Sequence, residues 1–298
     1  MLLLKLAHPV YVTVRNVLDA AGLSKPLRFL VGPTAGRLIS KMAVNAGEPV
    51  LVQGHRMFLT SPHGYPPVAM ATDKYEEEST QLFQRLLKPG MNVFDAGSHV
   101  GYYSLLAARQ VGPEGKVYAF EPEPDNYALL LKNIELNGYA NISATRKALT
   151  NQVGSTTLFL TGLDNGRHSI YHHGLPEKGS VDVESTTVDA VMEANGWPTI
   201  DLFKADVEGS ELDLLEGMEQ FLERSPQLNL IIEFSPSLLR NAGADPLRLL
   251  EMLATRRFKV QRIIEREGGV PLREEDWPSF VEGLSKAGQS ENLFCSRQ

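Results

Sequence analysis

From Asn92 to Cys295 the chain alternates short apolar runs with segments of helical spacing, and this alternation constrains the fold more than any other feature. Strands are predicted at 92–95, 116–121, 142–145, 156–160, 200–205, 228–233 and 258–264, with a terminal strand at 292–295. Between them, helices are predicted at 75–90, 101–110, 124–137, 188–193, 210–222 and 246–255. Helices that alternate with strands cover both faces of a mostly parallel sheet. The expected fold is therefore α/β: a Rossmann-like, doubly wound, mostly parallel seven-stranded sheet with an N-terminal helical and hairpin extension. The expected division places that extension at 1–70 and the main domain at 71–298. Segments 162–180 and 268–289 read as the least structured.

With 298 residues, the chain can bury one full core and carry an appendage. Its formal net charge of -7 argues against the broad basic surface of a nucleic-acid binder. The single cysteine, Cys295, excludes an intrachain disulfide and a multi-cysteine zinc site. The histidines form no HExxH or HxH pattern. Lys5, His8, Pro9 and Arg15 interrupt the apolar N-terminus, leaving less than the roughly 20 apolar residues of a membrane span. Residues 1–41 hold six Lys or Arg and one acid, with apolar residues at Val10, Val14, Val17, Leu18 and Ala21. That pattern predicts a helical cap on the main domain; the alternative is a basic amphipathic surface in peripheral contact with a membrane or with a partner. The expected location is cytoplasmic, with membrane-surface association as the corollary of that alternative. "PVLVQGHRMFLTS" reads as two short strands around Gly54.

The turn after the first strand of the alternation is Asp95-Ala-Gly97-Ser98-His99-Val-Gly101. It lacks the G-x-G-x-x-G of a dinucleotide site and the G-x-x-x-x-G-K-[ST] of a phosphate loop. A carboxylate at the strand end would repel a pyrophosphate but suits a cationic amine, as on the aminoacyl part of S-adenosylmethionine. Glu121, at the end of the next strand and followed by Pro122, is placed to accept both hydroxyls of a ribose. Asp95 and Glu121 around a glycine turn thus point to a cationic, ribose-bearing cofactor.

Three blocks carry a resemblance: "KPGMNVFDAGSHVGYYSLLAA", "VYAFEPEPDNYALLLKNIELNG" with Asn133 and Asn137, and "IDLFKADVEGSELDLLEGM" followed by "LIIEFSP". Together they resemble class I S-adenosylmethionine-dependent methyltransferases, and specifically the FkbM family. The resemblance implies an enzyme that O-methylates a small molecule or glycan. It implies a cofactor set of Asp95, Gly97, Ser98, His99, Gly101, Glu121 and Pro122, with Asp206 beside the transferred methyl. His99 stands where relatives more often carry a small residue or asparagine.

Methyl transfer from a sulfonium needs positioning, plus a base when the acceptor is a hydroxyl. Asp206 and His168, the latter in the loop "LDNGRHSIYHHG", are the candidates for that base. Asp206 and Glu208 lie two apart, so extended backbone would point them the same way; Glu208 and Glu211 alternatively satisfy helix N-terminal amides. A divalent metal on this acid cluster is an alternative the sequence does not favour. A nucleic-acid methyltransferase is opposed by the charge and by the lack of an N-P-P-[YFW] run, and the remaining alternative is a cofactor-binding scaffold. Tyr102 and Tyr103 read as core. The acceptor and the oligomeric state are left open.

Overall fold

The computed structural model describes residues 47–59, 69–71, 73–162, 166–264 and 268–297. The basic segment 1–41, and with it the membrane-contact reading, lies outside the described residues. The chain divides into two compact units, Met1–Tyr75 and Glu76–Gln298. In the first, β1 (Val50–Val52) and β2 (His55–Met57) form the expected antiparallel hairpin. Its turn, Gln53-Gly54, has φ of 49° and 82°, the paired left-handed conformation of a tight two-residue hairpin.

The second unit opens with α1 (Glu77–Leu86) and is built on an eight-stranded sheet. Its centre is parallel: β5 (Ile142–Thr145), β4 (Lys116–Phe120), β3 (Asn92–Ala96), β9 (Leu202–Ala205) and β10 (Asn229–Phe234), in that order. β13 (Glu291–Ser296) inserts antiparallel between β10 and β11 (Lys259–Ile264). These seven strands form the expected sheet. An eighth, β12 (Gly268–Pro271), extends its edge as a hairpin partner of β11.

The helices follow the strands: α2 (Tyr102–Val111), α3 (Pro124–Asn137), α4 (Val188–Ala194), α5 (Glu211–Glu216), α6 (Glu219–Arg224), α7 (Pro236–Asn241), α8 (Pro246–Thr255) and α9 (Trp277–Ala287). One continuous helix over 210–222 was expected; the structure breaks it at Gly217. A Cβ there would lie 2.1 Å from the Thr150 carbonyl oxygen, and Asp189 caps the new N-terminus by accepting from the Gln220 and Phe221 amides at 3.0 and 2.8 Å. The segment 268–289 was expected to be loose and is instead β12 and α9. Trp277, Val281 and Leu284 form the buried stripe that the single-residue reading overlooked.

The strand expected at 156–160 belongs to a separate three-stranded sheet. In it β8 (Glu177–Thr186) lies between β6 (Ala148–Leu149) and β7 (Gly154–Thr161). β8 was missed because four of its first residues, Glu177 to Ser180, are exposed and polar. It is held by pairing with β7, which local composition does not reveal.

The parallel strands are buried on both faces. On one face Phe94 stacks on Phe203 and Phe120, with ring centroids 4.6 and 5.0 Å apart. Alternation sends Asp95 and its register partner Lys204 to the other face, under α2.

Candidate functional site

Strand order runs outward in opposite directions from the β3–β9 pair, so the crevice beyond their carboxyl ends is the topological switch point of the sheet. The sequence places the glycine turn at one lip of that crevice and Asp206 at the other, and the structure locks them together. The Asp206 amide donates to the Ala96 carbonyl at 2.9 Å. Gly97, at φ 82°, faces the Asp206 carbonyl oxygen so closely that a Cβ would stand 1.8 Å from it. The close approach that this glycine permits is thus to the neighbouring strand's backbone. Gly101 (φ 95°) gives way instead to Leu130 of α3, whose Cδ1 would meet a Cβ at 2.7 Å.

The turn is stitched to β4 from below. The amides of Gly97 and Ser98 donate to the Phe120 carbonyl at 3.0 and 2.8 Å. Ser98 Oγ donates to the Asp95 carbonyl at 2.8 Å. Asn133, singled out in the sequence as part of a block, donates from Nδ2 to the Val100 carbonyl at 2.8 Å. His99 takes a left-handed φ of 49°, and its amide donates to Glu121 Oε2 at 2.8 Å. The Glu123 amide donates to Glu121 Oε1 at 2.9 Å, across Pro122. Each Glu121 oxygen therefore accepts one backbone amide, and the Asn126 side chain adds a further hydrogen bond to the carboxylate. Burial raises the Glu121 carboxyl to about 7, against the lowering pull of those two amides.

Asp95 lies deeper than its position at a strand end suggests. It is 1% exposed, and its Oδ2 accepts the Ser104 hydroxyl of α2 at 2.5 Å. Burial raises its carboxyl to about 6, opposed by Ser104 and the nearby Lys204 ammonium. Tyr102 and Tyr103 are buried, as expected of core residues.

Beyond β9, Asp206, Glu208 and Glu233 bring carboxylate oxygens within 4.8 Å of one another. Extended backbone is not the reason: Glu208 has φ 49°. Its carbonyl is gripped by Ser169 Oγ at 2.6 Å and His173 Nε2 at 2.8 Å. The helix-terminal role holds for Glu211, which accepts the Gly209 amide at 3.2 Å. Burial, then repulsion among these acids, raises Glu208 and Glu233 well above the usual carboxylate range. Cations offset these acids: Arg167 opposes the rise of Glu208, and Lys204 meets Asp206. Lys204 is fully buried, and its Nζ lies 3.2 Å from Asp206 Oδ2.

His168 sits in the loop after β7, where its Nδ1 accepts the Thr161 amide at 3.1 Å. In the neutral ring the proton is then on Nε2, which makes His168 a donor rather than a base at that atom. Sequence reasoning missed His173 and Lys204. Nothing local marks the first. The second was visible as a lone charge inside the apolar run "LFKA", which a central parallel strand does not tolerate without a buried partner.

The Methyltransferase FkbM domain matches residues 95–260, from the glycine turn to the start of β11. Among characterised proteins, the chain is 30% identical over 159 residues to "Methyltransferase sdnD" of Sordaria araneosa, covering 43% of this chain and 60% of that one. It is 25% identical over 170 residues to "Hexuronic acid methyltransferase AglP" of Haloferax volcanii, covering 57% and 64%. The chain thus spans less than two thirds of the length of these relatives. With the match running across Asp95, Glu121, Asp206 and Glu233, on strands that flank the reversal of the sheet, the chain belongs to the FkbM methyltransferase domain family of S-adenosylmethionine-dependent methyltransferases.

Proposed function

We propose that the protein transfers a methyl group from S-adenosylmethionine to a hydroxyl of a small molecule or glycan. The observation that carries this reading is the meeting of a glycine turn, Glu121 and Asp206 at the switch point between β3 and β9. The donor set fits the cofactor. Carboxylates line the turn where a dinucleotide site would need groups for a pyrophosphate, and the amides of His99 and Glu123 hold the Glu121 carboxylate at that turn.

The bound cofactor supplies an electrophilic methyl on a sulfonium that leaves as neutral sulfur. In this reading Glu121 accepts the ribose hydroxyls, while Ser98, His99, Gly101 and Pro122 shape the pocket wall. Asp95 works from beneath. It anchors α2 through Ser104 and lends negative potential to the side of the turn that meets the cation. Asp206, whose side chain is 22% exposed, is the group open to an acceptor and takes the hydroxyl proton. His168 is the lesser candidate, because its Nδ1 lone pair is already engaged.

A sugar as acceptor is supported by the likeness to the hexuronic acid methyltransferase. The test is release of S-adenosylhomocysteine with a panel of free hexuronic acids, their glycosides, small alcohols and RNA. Turnover with a hydroxyl acceptor that Asp206→Asn abolishes supports the reading. Turnover with RNA alone overturns it.

A further inference from the structure

Lys204 is an anomaly in a central strand: a fully buried ammonium in the run Leu202–Ala205. Its surroundings explain how it is tolerated. Nζ donates to Asp206 Oδ2 at 3.2 Å on one side and to Asn292 Oδ1 at 3.2 Å on the other, and it lies 5.2 Å from the centre of the Tyr103 ring. Asn292 in turn donates from Nδ2 to Glu76 Oε2 at 2.8 Å, and the same oxygen accepts the Tyr103 hydroxyl at 2.7 Å. The network therefore joins four elements: β9, β13, α2 and the N-terminal cap of α1. Its far end is fixed by Glu76 and its near end is the Asp206 carboxylate.

We propose that Lys204 is the positioning residue of Asp206, aiming its carboxylate into the crevice and supplying the counter-charge that lets it act as a base beside Glu208 and Glu233. This rests on the reading of Asp206 as the base. A carboxylate with rotatable χ angles, crowded by two other acids, would turn away from them. A buried ammonium that is itself clamped by Asn292 leaves one direction open. The groups around this pair are Glu208 after β9 with Arg167 opposing its charge, Glu233 on β10, Glu211 on α5, Asp95 on β3, and Glu76 with Tyr103 around Lys204. Burial alone would lower the Lys204 ammonium, but Asp206, Glu76 and Glu233 hold it above the ordinary lysine value. The cation persists throughout the working pH range.

The test separates positioning from folding and from cofactor binding. In Lys204→Met, kcat with the hydroxyl acceptor falls by roughly tenfold or more, while S-adenosylmethionine affinity, read by calorimetry, stays within about threefold. In the Asp206→Asn background, where the base is already lost, the same substitution changes the residual rate by less than about threefold, because residues that act as a unit are not additive. Should Lys204→Met fail to fold, Asn292→Ala carries the test: it frees Nζ on one side and lowers kcat with the cofactor affinity kept. An unchanged kcat in a variant that still binds S-adenosylmethionine overturns the proposal. An equal loss from Lys204→Met with and without Asp206 sinks the Lys204 role alone. A fully active Asp206→Asn sinks the base reading and with it this use of the contact.

Discussion

The Asp206 carbonyl oxygen fills the space in front of Gly97: a Cβ on that glycine would lie 1.8 Å away. The turn that closes the cofactor side of the crevice and the strand end that carries the proposed base are therefore one packed unit. A shift in either displaces both.

Gly97→Ala meets two costs. The left-handed φ of 82° is strained for any L side chain, and the new methyl cannot fit without moving β9. We expect a loss of about 2–5 kcal/mol in urea unfolding, the sum of the left-handed and overpacking terms. Gly138→Ala is the control, because its φ of 69° is similar but nothing lies within 4 Å. It should cost only about 1 kcal/mol. Equal losses in the two variants would show that the Asp206 contact is not the constraint.

Asp206→Asn keeps the size of the side chain and an acceptor for Lys204 but removes its basicity. Turnover on the hydroxyl acceptor should fall by roughly 10²–10⁴-fold, with thermal stability and cofactor affinity little changed. Steady-state kinetics beside calorimetric titration separates the two effects.

Glu121→Ala should weaken S-adenosylmethionine binding by about 1.5–3 kcal/mol through loss of charge-assisted hydrogen bonds. In the wild type, S-adenosylmethionine at 100 times its dissociation constant should stabilise the fold by about 2.7 kcal/mol. NAD at the same concentration should leave the melting temperature where it was. Identical affinities for wild type and Glu121→Ala would remove Glu121 from the site.

Glu121 also sets a pH dependence. Its folded value of about 7 lies above the ordinary 4.5, so between those values the folded state holds a proton that the unfolded chain has lost. Stability therefore falls as pH rises through this window, by up to about 3 kcal/mol from this group. Glu121→Gln should flatten that decline in urea unfolding at pH 5 and pH 8. Cofactor binding should run the other way and tighten from pH 5.5 to 8, as the ionised carboxylate becomes the better acceptor. Proton release on binding, measured in buffers of different ionisation enthalpy, checks the sign.

The sequence by itself determined seven strands of the main sheet, most of the helices between them and the glycine turn with its acids. Those features are written in local terms: the alternation of apolar runs, the Asp95-to-Gly101 spacing and the Pro124 helix start all act within a few residues. Tertiary structure alone decided what those groups do to one another. Asp95 reads as a strand-end acid, yet α2 covers it and Ser104 takes its oxygen. The 210–222 helix breaks because the Thr150 backbone occupies the space beside Gly217. β8 exists because β7 pairs with it, whereas its first residues are polar and exposed. Lys204 and Asn292 lie 88 residues apart and meet only when β9 and β13 flank β10 in one sheet. Hydrogen bonds and desolvation depend on which atoms end up adjacent, and that adjacency is a property of the assembled sheet.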